Sequence, residues 1–162
     1  MQTEFTTELV ELDRDECLRL LASTDVGRLS VNVPGWPPVI RPVTYVFDES
    51  TQSVIFRSAR GSKLTALLLS DRATFEIDGI EPSDEIGWSV IVQGRVEEVT
   101  NSAELARLRR SGLRPWVPGD LPHWMRIGTT VVSGRRIRRV AIGNSPQPLG
   151  GEAPTPSGTG SN

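Results

Sequence analysis

A single, mainly β domain built as a small antiparallel barrel is the fold class this 162-residue chain predicts, and three observations carry it. Apolar and polar residues alternate strictly along Arg28 to Val33, and apolar residues recur every second position at Ala73, Phe75 and Ile77 and along Trp88 to Val96, the period of a strand with one buried face. Turn-forming residues fall between such runs, at Pro34-Gly35, Asp48 to Gln52 and Gly79 to Glu85. Strands and helices do not alternate, and no Gly-x-Gly-x-x-Gly fingerprint is present, which disfavours a doubly wound nucleotide fold. Six or so strands joined mostly by hairpins, with one short helix inserted midway, remove their edges by closing on themselves.

Near the start of the chain, Asp13 with Glu16 three residues on reads as a capping box, and Cys17, Leu20 and Leu21 recur at helical spacing, so a helix is expected over about residues 13–23. A hairpin comes next, from Arg28 to Val33 and from Val39 to Phe47. Val54-Ile55-Phe56 makes the next strand. Leu64, Leu67 and Leu68 then suggest a helix over about residues 62–70, before the strands at Ala73 to Ile77 and Trp88 to Val96. Asn101 and Glu104 form a second capping box for a helix that Gly112 closes. Leu113 to Trp124, rich in proline and tryptophan, reads as a loop. Met125 to Val132 and Arg136 to Ile142 read as closing strands around a turn at Ser133-Gly134. Beyond Gly143 the chain is nearly all Gly, Pro, Ser and Thr, with little to bury, and is expected to be disordered.

Composition narrows the function classes. The net charge of -2 argues against a broad nucleic-acid footprint. No run approaches the ~18 apolar residues of a membrane span, and the acidic start lacks the regions of a secretory signal. Cys17 is the only cysteine, which excludes an internal disulfide and a multi-thiolate zinc site and fits a reducing, cytoplasmic setting. At helical spacing it reads as a packed core thiol. His123, the only histidine, has no obvious partner and reads as a loop residue, so no catalytic set and no metal site is assigned. Asp78, Glu81, Asp84 and Glu85 read as a solvated turn.

Two segments carry chemistry. In Arg41-Pro42-Val43-Thr44-Tyr45, proline interrupts a strand, marking an edge or a bulge where backbone groups can turn to a ligand. Arg41 shares a side with Val39, Val43 and Tyr45, and a guanidinium there needs an anionic or hydrogen-bonding partner. That partner is either a ligand or a carboxylate at the barrel end. In Phe56-Arg57-Ser58-Ala59-Arg60-Gly61-Ser62-Lys63, a strand runs through a tight loop into a helix start surrounded by three basic side chains and two hydroxyls, a setting suited to a phosphate monoester. Lys63 is the sole lysine among 18 basic residues, and the Walker order is missing.

Taken in order with Gly87-Trp88-Ser89-Val90 and Gln93-Gly94-Arg95-Val96-Glu97, these segments resemble the FMN-binding split β-barrel superfamily of pyridoxamine 5'-phosphate oxidase-like proteins, on its nitroimidazole-reductase-like branch. The resemblance implies a six-stranded antiparallel split barrel over residues 12–142, preceded by an extension at 1–11 and followed by the tail at 143–162. It implies a homodimer with cofactor sites at the subunit interface. Arg41, Ser62 and Lys63 would hold the cofactor phosphate, and Pro42, Val43 and Thr44 would line the isoalloxazine ring. Phe56, Arg57 and Ser58 would contact ring or ribityl chain, and Trp88 and Ser89 would come from the second subunit.

The activity implied by the resemblance is that of an FMN-dependent oxidoreductase, passing a hydride through flavin N5 from a donor such as NAD(P)H to a small-molecule acceptor. The alternatives are a reductase using the 8-hydroxy-5-deazaflavin coenzyme and a non-catalytic flavin-binding or storage protein. The founding oxidase carries an Arg-x-His pair near its C-terminus, whereas here Arg135-Arg136-Ile137-Arg138-Arg139-Val140 stands before the tail, so that activity is expected to be absent. These arginines read as a solvated strand, with a docking patch for a reduced nicotinamide phosphate as the alternative.

Overall fold

The computed structural model describes residues 4–60 and 72–142. The strands are β1 (Phe5–Leu12), β2 (Val26–Val33), β3 (Trp36–Asp48), β4 (Ser53–Ser58), β5 (Arg72–Glu81), β6 (Ile86–Glu98), β7 (His123–Gly128) and β8 (Val131–Ala141). Helix α1 (Arg14–Ser23) follows β1, and α2 (Ser102–Arg109) follows β6. All pairings are antiparallel, in the order β1-β8-β6-β5-β2-β3-β4-β7, and β7 returns to β6. Six strands therefore form the closed barrel, while β8 and β1 continue from β6 as a two-stranded wing.

Two long strands make this possible by changing partner. One edge of β6 meets β8 from Gly87 to Gln93 and β7 from Val96 to Glu98. β3 pairs with β2 as far as Thr44 and with β4 from Tyr45 onward. Both helix starts follow their sequence signals: Asp13 Oδ1 accepts from Glu16 N at 2.8 Å, and Asn101 Oδ1 accepts from Glu104 N at 3.0 Å. Gly35, at the tip of the first hairpin, has φ +74°, and Gly112, past α2, has φ +82°, backbone that glycine adopts without a Cβ penalty.

The inward positions are apolar, as the alternation requires: Leu29, Tyr45, Phe56, Phe75, Val92 and Met125 are among them. α1 caps this core with Cys17, Leu20 and Leu21. Tyr45 ties helix to barrel, donating to Leu21 O at 2.7 Å and meeting Thr24 Oγ1 at 2.6 Å, with burial pushing its phenol up to about 12. Burial also pushes the Cys17 thiol up, as suits a packed thiol. A second cluster of Ile55, Val99, Leu108 and Trp124 seats α2 on the outside of β4 and β7. Among the described residues no helix is long and apolar enough to cross a membrane, and no cluster of metal-ligating side chains occurs.

Three expectations are corrected. The last turn lies at Thr129-Thr130, between β7 and β8, and Ser133-Gly134 lies within β8. Gly134 is there for packing: a Cβ on it would stand 2.6 Å from Cys17 Sγ and 3.1 Å from Leu12 Cδ1. His123 and Trp124 belong to β7 and not to the preceding loop. Residues 5–12, assigned no element from sequence, form β1, in register with β8 from Phe5↔Ala141 to Leu12↔Gly134. The expected helix over 62–70, with Ser62 and Lys63, and the tail at 143–162 lie outside the described residues.

Candidate functional site

The partner change in β3 opens a fork. Tyr45 and Phe56 are the last opposed residues of β3 and β4 on this side, so Arg41 to Thr44 and the end of β4 part from one another. Pro42 therefore sits on a length of strand with no β4 partner, where its missing N–H costs no ladder bond. The edge expectation holds, while the nearby register irregularity lies between Val31 and Val33. Arg41 and Arg60 stand four residues beyond the last pair, one on each arm. Arg41 is exposed and donates to Ile40 O at 3.1 Å. Among the described residues, neither Arg41 nor Arg60 forms an ion pair.

The other predicted site residues divide. Val43 and Thr44 are half-buried beside the fork and Pro42 is exposed. Phe56 is 1% exposed within the barrel core, so any contact it makes with a ligand comes from its backbone. Arg57 turns from the fork: its Nε donates to Leu121 O at 2.8 Å and its guanidinium lies 5.1 Å from the Trp124 ring centroid. Ser58 is buried opposite His123.

Trp88 and Ser89 are not brought to the fork. The order β6-β5-β2-β3 puts them three strands from Thr44, about 14 Å at the usual strand spacing. Trp88 packs over Gly79 of the neighbouring strand, where a Cβ would stand 2.6 Å from indole Nε1. Ser89 opens instead onto a cleft of about 570 Å³ on the outer face of β5, β6, β8 and β1, walled by Leu9, Ile80 and Ile137. Along its side Arg28 bridges Glu76 at 3.4 Å and Asp78 at 3.1 Å, and burial together with Asp78 raises the Glu76 carboxyl.

Sequence reasoning missed one constellation. His123 Nδ1 lies 2.6 Å from Glu98 Oε1, linking the start of β7 to the end of β6. The available signal was the two-residue period His123, Met125, Ile127, which places the histidine in line with two core residues; the proline-rich segment before it hid that period. The solvated-turn reading of the acidic residues fits Asp84, which pairs with Arg139 at 3.3 Å, while Asp78 is taken by Arg28.

A closed barrel whose β6 also carries a wing, and whose β3 parts from β4 in a fork, defines a split-barrel protein. The chain belongs to the pyridoxamine 5'-phosphate oxidase family, which matches residues 13–136. It is 37% identical over 135 residues to the uncharacterized protein Rv0080 of Mycobacterium tuberculosis, covering 80% of this chain and 86% of that one. An FAD-binding protein from Mycobacterium smegmatis matches with TM-score 0.65 and 33% identity, over 82% of this chain and 98% of that one. An FAD-binding protein from Mesorhizobium loti, 22% identical with TM-score 0.64 over 82% of this chain and 99% of its own, shares the fold.

Proposed function

We propose that this protein binds a flavin nucleotide at the fork and acts as a flavin-dependent oxidoreductase. The observation that carries the reading is the fork itself: two strand arms leave their ladder beside Arg41 and Arg60, whose charge no described carboxylate takes up. The FAD-binding relative supports it. FMN and FAD share the isoalloxazine ring, the ribityl chain and its first phosphate, so Arg41 with Ser62 and Lys63 would hold that phosphate in either. Pro42, Val43 and Thr44 would line the ring, and Phe56 and Ser58 would reach it from the other arm. When bound, the flavin supplies the redox chemistry, accepting a hydride from a reduced nicotinamide or another donor and reducing a small-molecule acceptor. The chain's own residues need only orient the ring, fix the phosphate and exclude water.

A homodimer would complete the site with Trp88 and Ser89 of the second copy. Ile80, Ile137 and Leu9 stand in one row across the outer face, 68%, 42% and 60% exposed, an apolar patch that a second copy would cover. Light scattering at micromolar concentration is expected to give twice the chain mass, and a monomer mass would overturn this arrangement. Pyridoxamine phosphate oxidation is not expected, because Arg136, Arg138 and Arg139 are occupied by Glu16, Glu8 and Asp84.

The test begins with the purified protein's visible spectrum and chromatography of the released cofactor, which separates FMN, FAD and the deazaflavin coenzyme. Anaerobic addition of NADH or NADPH should bleach the flavin bands. Bands that persist with every donor would leave a binding or storage protein. A chain that neither carries nor takes up any of the three cofactors would overturn the reading.

A further inference from the structure

We propose that Glu98 and His123 form a cofactor-facing dyad whose imidazole makes flavin binding depend on pH. The inference rests on the flavin reading above and assigns to that site a residue which its sequence motifs do not contain. Ser58 and His123 are register partners, so their side chains share a face, with Cβ atoms about 4.5 to 5.5 Å apart. That face is the barrel interior, and at this end its residues change from apolar to polar: beyond Phe56 comes Ser58, beyond Met125 comes His123, and beyond Val96 comes Glu98. The end is the one at which the fork opens.

The chemistry is set by which nitrogen is engaged. Glu98 holds Nδ1 at 2.6 Å, which fixes the proton of the neutral ring on that atom and leaves Nε2 as an acceptor. Among the described residues Nε2 has no partner, and 24% of the side chain is exposed, so a ligand can reach it. On protonation Nε2 becomes a donor and the ring gains a positive charge. The charged groups on the elements packed around it are Glu98 on β6, Arg57 and then Arg60 on the β4 side, and Asp120 on the preceding loop; Glu97 is turned to Arg126 at 3.0 Å. An anionic flavin nucleotide in contact with Nε2 therefore binds more tightly when the ring is protonated.

FAD is the right probe, because its diphosphate keeps its charge between about pH 5.5 and pH 8 whereas the FMN monoester titrates within that interval. Apo-protein titrated with FAD by flavin fluorescence should bind about three- to tenfold more tightly at about pH 5.5 than at about pH 8, the effect of one added charge at partly solvated contact distance. H123Q keeps an amide N–H near the Nε2 position and should bind with an intermediate, pH-independent affinity. H123N keeps a donor to Glu98 but nothing at Nε2, and should lose both the pH dependence and the low-pH affinity. Because H123N retains the Glu98 contact, thermal melts separate a folding defect from a binding one. Wild-type pH dependence surviving in either folded variant would overturn the dyad while leaving the flavin reading standing. A wild-type protein that takes up no flavin at any pH would overturn both.

Discussion

At the wing, Arg136, Arg138 and Arg139 each meet a carboxylate, at 2.7, 3.1 and 3.3 Å, and the pairs join β8 to α1, to β1 and to the β5–β6 turn. At the fork, Arg41 and Arg60 meet none among the described residues. The side chain is the same in both places and only the surroundings differ. The wing arginines are neutralised within the fold; at the fork no described carboxylate does so, and under the proposed function the flavin phosphate would. Composition could not separate the two groups, since the wing arginines form the denser run in the sequence.

The contrast breaks most directly at the phosphate. Lys63→Ala or Arg41→Ala should weaken flavin binding by about 10- to 150-fold, the worth of one charge-assisted contact, measured by fluorescence titration of apo-protein. Lys63→Arg should retain part of the affinity, and the double variant should depart from additivity if both groups act on one phosphate. Arg138→Ala, at the wing, should leave affinity unchanged and shift stability by less than about 1 kcal/mol, as an exposed pair does. Equal losses from Arg138→Ala and Arg41→Ala would end the distinction.

A second comparison concerns the far end of β3. There Asp48 is saturated, accepting from both Arg107 terminal nitrogens at 2.6 and 2.8 Å and from the hydroxyls of Ser50 and Thr51. The Arg107 guanidinium holds its carboxyl well below the usual carboxylate range. A depressed folded-state value stabilises the fold above the unfolded value, about 3.9, and that contribution is lost as the pH falls toward the folded one. Asp48→Asn should cost about 2 to 3 kcal/mol at neutral pH in urea unfolding, and should flatten the acid limb of a stability profile below about pH 4. Flavin affinity should not change.

Smaller effects sharpen the picture further. Gly134→Ala forces a methyl against Cys17 and should cost about 1 to 3 kcal/mol, read from the urea midpoint; a neutral result would mean that α1 shifts freely on the wing. Removing residues 144–162 should leave melting temperature and cofactor content unchanged, because that segment has little apolar area to bury. A melt several degrees lower would show that it docks.

Local features were legible in the sequence. Both capping boxes, the Pro34-Gly35 hairpin and the alternation along β5 and β6 state their conformation within a few residues, and the structure follows them. What could not be read depended on partners distant in the chain. β1 has a weak pattern of its own and is a strand because β8 lies beside it. Gly134 resembles a turn residue until Cys17 is known to sit against it. Arg41 announced a polar need on an apolar side, and the structure leaves it exposed with Ile40 O as its described partner; Phe56 and Arg57 looked alike as site residues and only packing separates them, one turned into the core and the other held by Leu121 and Trp124. His123 lacked a visible partner because Glu98 lies 25 positions away, on a different strand.

The pairing of Phe5 with Ala141 also bears on how the chain is made. In synthesis β1 must wait for its partner β8, about 130 residues later, on the order of 10 s at ordinary elongation rates. During that interval Leu9 and Val10 have no β8 ladder to join.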